Sequence, residues 1–88
     1  MRPVGDGLYV GGLSFSTSND ALRALFAEVG GVESAALVTD TLTGQSRGFG
    51  YVRMVSAEAE ARAIKTLHRK EVDGRKLVVH RALPQGSR

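Results

Sequence analysis

Polar and apolar residues alternate along residues 47–54, RGFGYVRM, in the reverse of the usual arrangement. Side chains on a strand point alternately to its two faces. The charged and aromatic side chains therefore share one face: Arg47, Phe49, Tyr51 and Arg53. Val52 and Met54 lie on the opposite face, where they are the apolar residues available for a core. The pattern predicts a strand whose rings are exposed beside cations.

Apolar positions at helical spacing predict two helices. The first covers about residues 18–29, with Thr17 and Asp20 resembling a capping box and Gly30 and Gly31 ending the helix in the left-handed conformation. The second follows a cap at Ser56. The predicted buried stripes are Ala21, Leu22, Leu25, Phe26 and Val29 in the first helix and Ala59, Ala63, Ile64 and Leu67 in the second.

Three further strands are predicted at residues 8–13, 32–40 and 77–82. In the first, Tyr9 points away from its apolar neighbours, and Gly11 leaves room beside the ring. The Asp73-Gly74 pair predicts a tight turn before the last strand. The expected inward residues are Leu8 and Val10 in the first strand, Val32, Ala35 and Leu37 in the second, and Leu77 and Val79 in the last.

The order β-α-β-β-α-β predicts an α+β, ferredoxin-like sandwich, with four antiparallel strands and both helices on one face. In this topology the first and third strands are neighbours, so Tyr9 lies beside Phe49 and Tyr51 on the open face. We expect one domain over residues 7–83, between a flexible lead at 1–6 and a flexible tail at 84–88. A chain of 88 residues is long enough for one small core.

Charge is unevenly distributed along the chain. Residues 1–61 carry four Lys or Arg against seven Asp or Glu, and residues 62–88 carry eight against two. A positive C-terminal third suits a polyanionic partner, but charge alone does not establish one, because a solvated basic surface is the simpler explanation.

The chain has no cysteine and no apolar run of about 20 residues, so we expect no disulfide, no thiolate metal site and no membrane span. A cytoplasmic location is expected, or a nuclear one in a eukaryote. His68 and His80 have no evident carboxylate partners, so neither a metal nor a cofactor is predicted.

Two motifs carry a resemblance to a known family. LYVGGL at 8–13 and RGFGYVRM at 47–54 are similar to the hexamer and octamer of the RNA recognition motif family. A Thr-Gly loop and an Asp-Gly-Arg turn follow the family's order, and the likeness covers about residues 7–83. The roles implied by this resemblance are base stacking for Tyr9 and Tyr51, packing against sugar or base for Phe49, and phosphate binding for Arg47.

The chain departs from the family pattern at several positions. Met54 replaces a residue that is usually aromatic, and Glu60 takes a position that is usually small and apolar. His68-Arg69 stands where Asn-Gly is common, which removes a residue that turns easily. These changes concern the helices and the core, and they leave the predicted stacking residues intact.

The sequence thus predicts a monomeric module that binds single-stranded RNA, with single-stranded DNA as a second candidate ligand. A protein-interaction module of the same fold is the alternative. An enzyme is not expected, because acyl-phosphate hydrolases of this fold need an Arg and an Asn at a phosphate loop, and Asn19 lies at a helix start. The predicted RNA-binding residues are Tyr9, Arg47, Phe49, Tyr51, Arg53, His80 and Arg81.

Overall fold

The computed structural model describes residues 7–82. The predicted lead at 1–6, the tail at 84–88 and the last domain residue, Leu83, lie outside this range. The elements in chain order are β1 (Leu8–Gly11), α1 (Asn19–Ala27), β2 (Val32–Thr39), β3 (Ser46–Met54), α2 (Ala57–Leu67), β4 (Glu71–Val72), β5 (Arg75–Lys76) and β6 (Val78–Arg81).

Four strands form one antiparallel sheet in the order β2-β3-β1-β6. Both helices pack on the same face of this sheet, so the predicted ferredoxin-like fold is confirmed. Strands β4 and β5 pair with each other in a separate hairpin around the Asp73-Gly74 turn, where φ is 54° and 78°. The sequence indicated the turn, but not the two short strands on either side of it.

The core lies between the sheet and the helices, and its composition confirms the reversed pattern of the third strand. Val52 and Met54 are buried, whereas Tyr51 on the opposite face is exposed. Val32, Ala35 and Leu37 are partly buried against this core, as predicted. The buried apolar residues are Leu8, Val10, Leu13, Leu22, Phe26, Val52, Met54, Ala59, Ala63, Leu67, Leu77 and Val79.

Strand β2 does not alternate regularly because its pairing with β3 shifts register. One shift falls between Val32 and Ser34, so Val32 and Ala35 reach the same face although they are three residues apart. Strand β1 is shorter than predicted: it ends at Gly11, and Gly12 turns the chain at φ 74°.

Both ends of α1 differ from the prediction. The N-cap is Ser18, whose Oγ accepts the Ala21 N–H at 3.0 Å, rather than Thr17. At the other end Gly30 and Gly31 are not left-handed, and the helix ends at Ala27. The N–H groups of Val29 and Gly30 both donate to the Phe26 carbonyl, which tightens the last turn and needs no left-handed residue.

The second helix begins as predicted. Ser56 Oγ accepts the Ala59 N–H at 3.1 Å and caps it. Ala59, Ala63 and Leu67 are buried and Ile64 is partly buried, which confirms the predicted stripe. Ala21, predicted to belong to the stripe of the first helix, is instead exposed. Within residues 7–82, neither helix is long and apolar enough to cross a membrane.

Candidate nucleic-acid interface

Three strands bring four rings together on the face of the sheet that has no helices. Tyr9 of β1 lies directly opposite Tyr51 of β3 on one side and His80 of β6 on the other. Phe49 lies two residues before Tyr51 on the same strand, so its side chain points to the same face. We call these four residues the aromatic platform: Tyr9, Phe49, Tyr51 and His80.

The platform rings are in mutual contact. The Tyr9 ring is stacked on His80, with centroids 4.9 Å apart and planes 20° apart. Its centroid lies 5.9 Å from that of Tyr51, nearly edge-on at 69°, and 5.8 Å from that of Phe49. Phe49 and Tyr51 are 6.2 Å apart at 86°. Such tilted and offset pairs are favourable arrangements for aromatic rings, so the four rings stabilise one another's positions.

The platform is accessible, although its rings shield one another. Tyr51 is 47% exposed, His80 is exposed, and Tyr9 and Phe49 are half-buried. An ideal Cβ placed on Gly11 would lie 2.7 Å from the Tyr9 hydroxyl oxygen, so the Tyr9 ring lies over Gly11. The small residue beside Tyr9 therefore makes room for the ring along the strand, as the sequence suggested.

Cations flank the platform on β3. Arg47 and Arg53 are exposed at the two ends of its aromatic segment. Among residues 7–82 the ion pair found joins Arg81 to Glu60, so neither Arg47 nor Arg53 is neutralised by a carboxylate of the described chain. Both guanidinium groups are therefore exposed cations beside the aromatic segment of β3.

Arg81 is placed differently from the other predicted site residues. Its side chain alternates with that of His80 and so shares the core-facing side of β6 with Val79. There its Nη1 lies 3.5 Å from Glu60 Oε1. In this structure the guanidinium is directed away from the open face. The residue still borders a shallow cavity of about 350 Å³ at the platform edge, lined by Tyr9, Tyr51, His80, Arg81 and Ala82.

The two histidines have separate surroundings. His68 Nδ1 accepts the Val79 N–H at 3.0 Å, so this side chain ties the end of α2 to β6. His80 lies on the platform, and its Nδ1 is 3.2 Å from the Arg81 carbonyl oxygen. The sequence did not predict that His80 stacks on Tyr9. Alternation places both side chains on the open face, but they become direct neighbours only through the register of β1 with β6, which is a tertiary property.

The described chain belongs to the RNA recognition motif family, whose model matches residues 8–78. It is 48% identical over 81 residues to the putative RNA-binding protein RbpA of Nostoc sp., an alignment that covers 92% of this chain and 79% of that protein. It is 41% identical to a glycine-rich RNA-binding, abscisic acid-inducible protein of Zea mays, covering 89% of this chain and 50% of the relative.

Solved structures show the same likeness. RNA-binding protein PG1 superposes with a TM-score of 0.87 at 40% identity, covering 94% of this chain and all of that one. The protein in an SXL-lethal protein/RNA complex superposes with a TM-score of 0.88 at 32% identity, covering 93% of this chain and 49% of that one.

Proposed function

We propose that this chain binds single-stranded RNA on the open face of its sheet. The observation that carries the proposal is the aromatic platform itself, which holds four rings in contact at the surface between two exposed arginines that have no carboxylate partner within residues 7–82. Aromatic side chains exposed beside cations are a surface on which splayed bases stack while phosphates are neutralised. Relatives and solved structures described as RNA-binding support this assignment.

Each platform residue has a proposed task. Tyr9 and Tyr51 stack on bases, and Phe49 covers a sugar or a base. His80 adds a fourth ring beside Tyr9, where it meets a base or a phosphate. Base stacking contributes about 1–3 kcal/mol per ring and accepts any base, so these residues supply affinity more than sequence preference.

Phosphate binding and base selection require other groups. Arg47 and Arg53 are proposed to contact phosphates from the two ends of the platform. For Arg81 we propose a contact through the main chain, because its guanidinium lies against Glu60. Strand β6 is at the edge of the sheet, where main-chain groups without strand partners can hydrogen-bond to base edges.

We infer that binding is the domain's activity and that it involves no catalysis. The hydrolase alternative requires an Asn at a phosphate loop, but the Asn19 Oδ1 accepts the Leu37 N–H at 2.8 Å and so serves the fold. Single-stranded DNA remains a second candidate ligand because stacking does not require the 2′-hydroxyl. A monomer and a cytoplasmic location stay predictions, and some relatives are named as chloroplastic or mitochondrial proteins.

The proposal is tested by following backbone amide shifts while a short single-stranded RNA is added. We expect the largest shifts on β1 and β3 and at residues 78–83. Shifts that cluster on α1 and α2 instead would place the binding surface on the helices and favour a protein-interaction module. A blunt RNA duplex of equal length serves as the control at the same salt concentration. It should bind more weakly, because a flat sheet cannot reach stacked bases.

A further inference from the structure

Phe15 is the most exposed Phe or Tyr between residues 7 and 82. It lies in the loop that joins β1 to α1, outside the aromatic platform, and is 66% exposed. A single exposed apolar side chain is common on protein surfaces and needs no ligand. Three observations around Phe15 distinguish it from such a residue.

The first observation is a cation over the ring. The Arg75 guanidinium carbon lies 5.5 Å from the Phe15 ring centroid, within the range of a cation–π interaction. Arg75 is on β5, far from Phe15 in the chain, and is itself exposed. An aromatic ring beside an accessible guanidinium repeats the combination of groups found on the platform.

The second observation is the position of the ring at the end of the platform strand. An ideal Cβ on Gly48 would lie 3.1 Å from Phe15 Cε1, so the ring edge is close to Gly48. The Leu13 N–H also donates to the Gly48 carbonyl at 2.9 Å and anchors the start of this loop to β3. Gly48 separates Arg47 from Phe49, so the Phe15 ring lies beside the end of β3 that carries both residues.

The third observation is a groove of about 630 Å³ that opens beside Phe15, between the start of α1 and the loop before β3. Thr17, Thr39 and Gln45 contribute to its lining. Within the described chain their side chains have no hydrogen-bond partner, unlike those of Ser18 and Asn19 in the same groove. A carboxamide and two hydroxyls offer both donors and acceptors to a base edge.

We infer that Phe15 is a second base-stacking site, separate from the aromatic platform, which holds one further nucleotide of the same single-stranded RNA. The base stacks on the Phe15 ring in the groove, and Arg75 meets a phosphate beside it. This inference rests on the proposed function, because the added nucleotide must continue a strand already bound on the platform.

RNA length separates the two sites. An oligonucleotide of about three nucleotides can fill the platform alone, whereas one of about eight also reaches Phe15. Phe15→Ala should weaken binding of the longer RNA by roughly 5- to 100-fold and leave the shorter one unchanged. Val55→Ala, which also shortens a half-exposed apolar side chain, is the matched control and should change neither affinity.

A second variant keeps the test valid if the alanine variant is poorly folded. Phe15→Leu preserves apolar bulk but has no ring, and it should lose affinity for the longer RNA with a nearly unchanged melting temperature. Arg75→Ala should lower the salt slope of log affinity by about 0.7, again for the longer RNA only. Lys65→Ala, the removal of an exposed cation on α2, should leave that slope unchanged.

The outcomes for this site and for the platform are distinguishable. Equal affinities of wild type and Phe15→Ala for the longer RNA, while Tyr51→Ala weakens both RNAs, would overturn the second site and leave the proposed function standing. An equal loss on both RNAs would also overturn it, since Phe15 would then act through the fold or the platform. If Tyr51→Ala affects neither RNA, the proposed function itself fails.

Discussion

The guanidinium of Arg81 lies 3.5 Å from the carboxylate of Glu60, a residue of α2 that has no exposed surface. Glu60 Oε2 also accepts the Gly7 N–H at 3.0 Å and the Met54 N–H at 3.2 Å. One carboxylate therefore joins the start of β1, the end of β3 and the end of β6. Buried main-chain donors need such partners, which explains how a charged residue is accommodated at a position that the family usually fills with a small apolar one.

Replacement of Glu60 should destabilise the domain strongly. Glu60→Ala leaves the N–H groups of Gly7 and Met54 without an acceptor, and we expect a loss of about 2–5 kcal/mol in the free energy of unfolding. Glu60→Gln keeps an acceptor oxygen and should lose less. Denaturant unfolding of each variant measures these losses.

The control for Glu60 is Glu58→Ala, in the same helical turn but exposed, which should cost less than about 0.5 kcal/mol. Arg81→Ala should fall between the two, at about 0.5–1.5 kcal/mol, because its side chain is 45% exposed and solvent weakens the pair. A Glu60→Ala variant as stable as wild type would show that these buried contacts contribute little.

Mutations should separate the contribution of base stacking to RNA binding from the contribution of charge. Tyr51→Ala and Tyr9→Ala should each cost about 1–3 kcal/mol of RNA binding and leave the salt dependence nearly unchanged. Arg47→Ala removes a cation, so it should lower the slope of log affinity against log salt by about 0.7. Binding isotherms at several salt concentrations measure both effects.

Melting curves provide the control for these variants. All three should stay folded, whereas Val52→Ala should lose roughly 0.5–2 kcal/mol or more of stability through lost burial. If Tyr51→Ala unfolds the domain, or binds RNA as tightly as wild type, the ring is structural and the proposed role is incorrect.

Gly11 should control the position of the Tyr9 ring. A methyl group at Gly11 would overlap the far end of the Tyr9 side chain, and no backbone atom is among its nearest contacts, so the ring would have to shift. Gly11→Ala should therefore weaken RNA binding by roughly 0.5–2 kcal/mol with little change in melting temperature. In a Tyr9→Ala background the same substitution should have no further effect, and a full additional loss there would contradict this mechanism.

A substitution at Arg69 should stabilise the domain. It follows α2 with a φ of 71°, a left-handed conformation that costs a residue with a Cβ about 1–2 kcal/mol. Arg69→Asn should raise the free energy of unfolding by roughly 0.5–1 kcal/mol, since Asn adopts this conformation more readily. Lys70→Asn, next to it with an ordinary negative φ, should bring no such gain in a thermal or denaturant melt.

The sequence was sufficient to predict the main helices and strands and the face of the sheet on which the aromatic rings lie. Helical spacing located α1 and α2, and the reversed alternation of β3 assigned Val52 to the core and Tyr51 to the surface. These properties are local, because the periods of 3.6 and 2 residues follow from backbone geometry alone. The end of α1 was less predictable, because Gly31 resembled a left-handed cap while its small size instead accommodates the Val55 side chain, 3.0 Å from an ideal Cβ.

The tertiary structure decided which distant residues meet. The register of β1 with β6 stacked His80 on Tyr9, and the packing of α2 placed Glu60 under three strands. The hairpin of β4 and β5 brought Arg75 over Phe15, 60 residues apart in the chain. None of these contacts leaves a periodic signal, because each depends on how separate elements pack against one another rather than on the spacing of residues within one element.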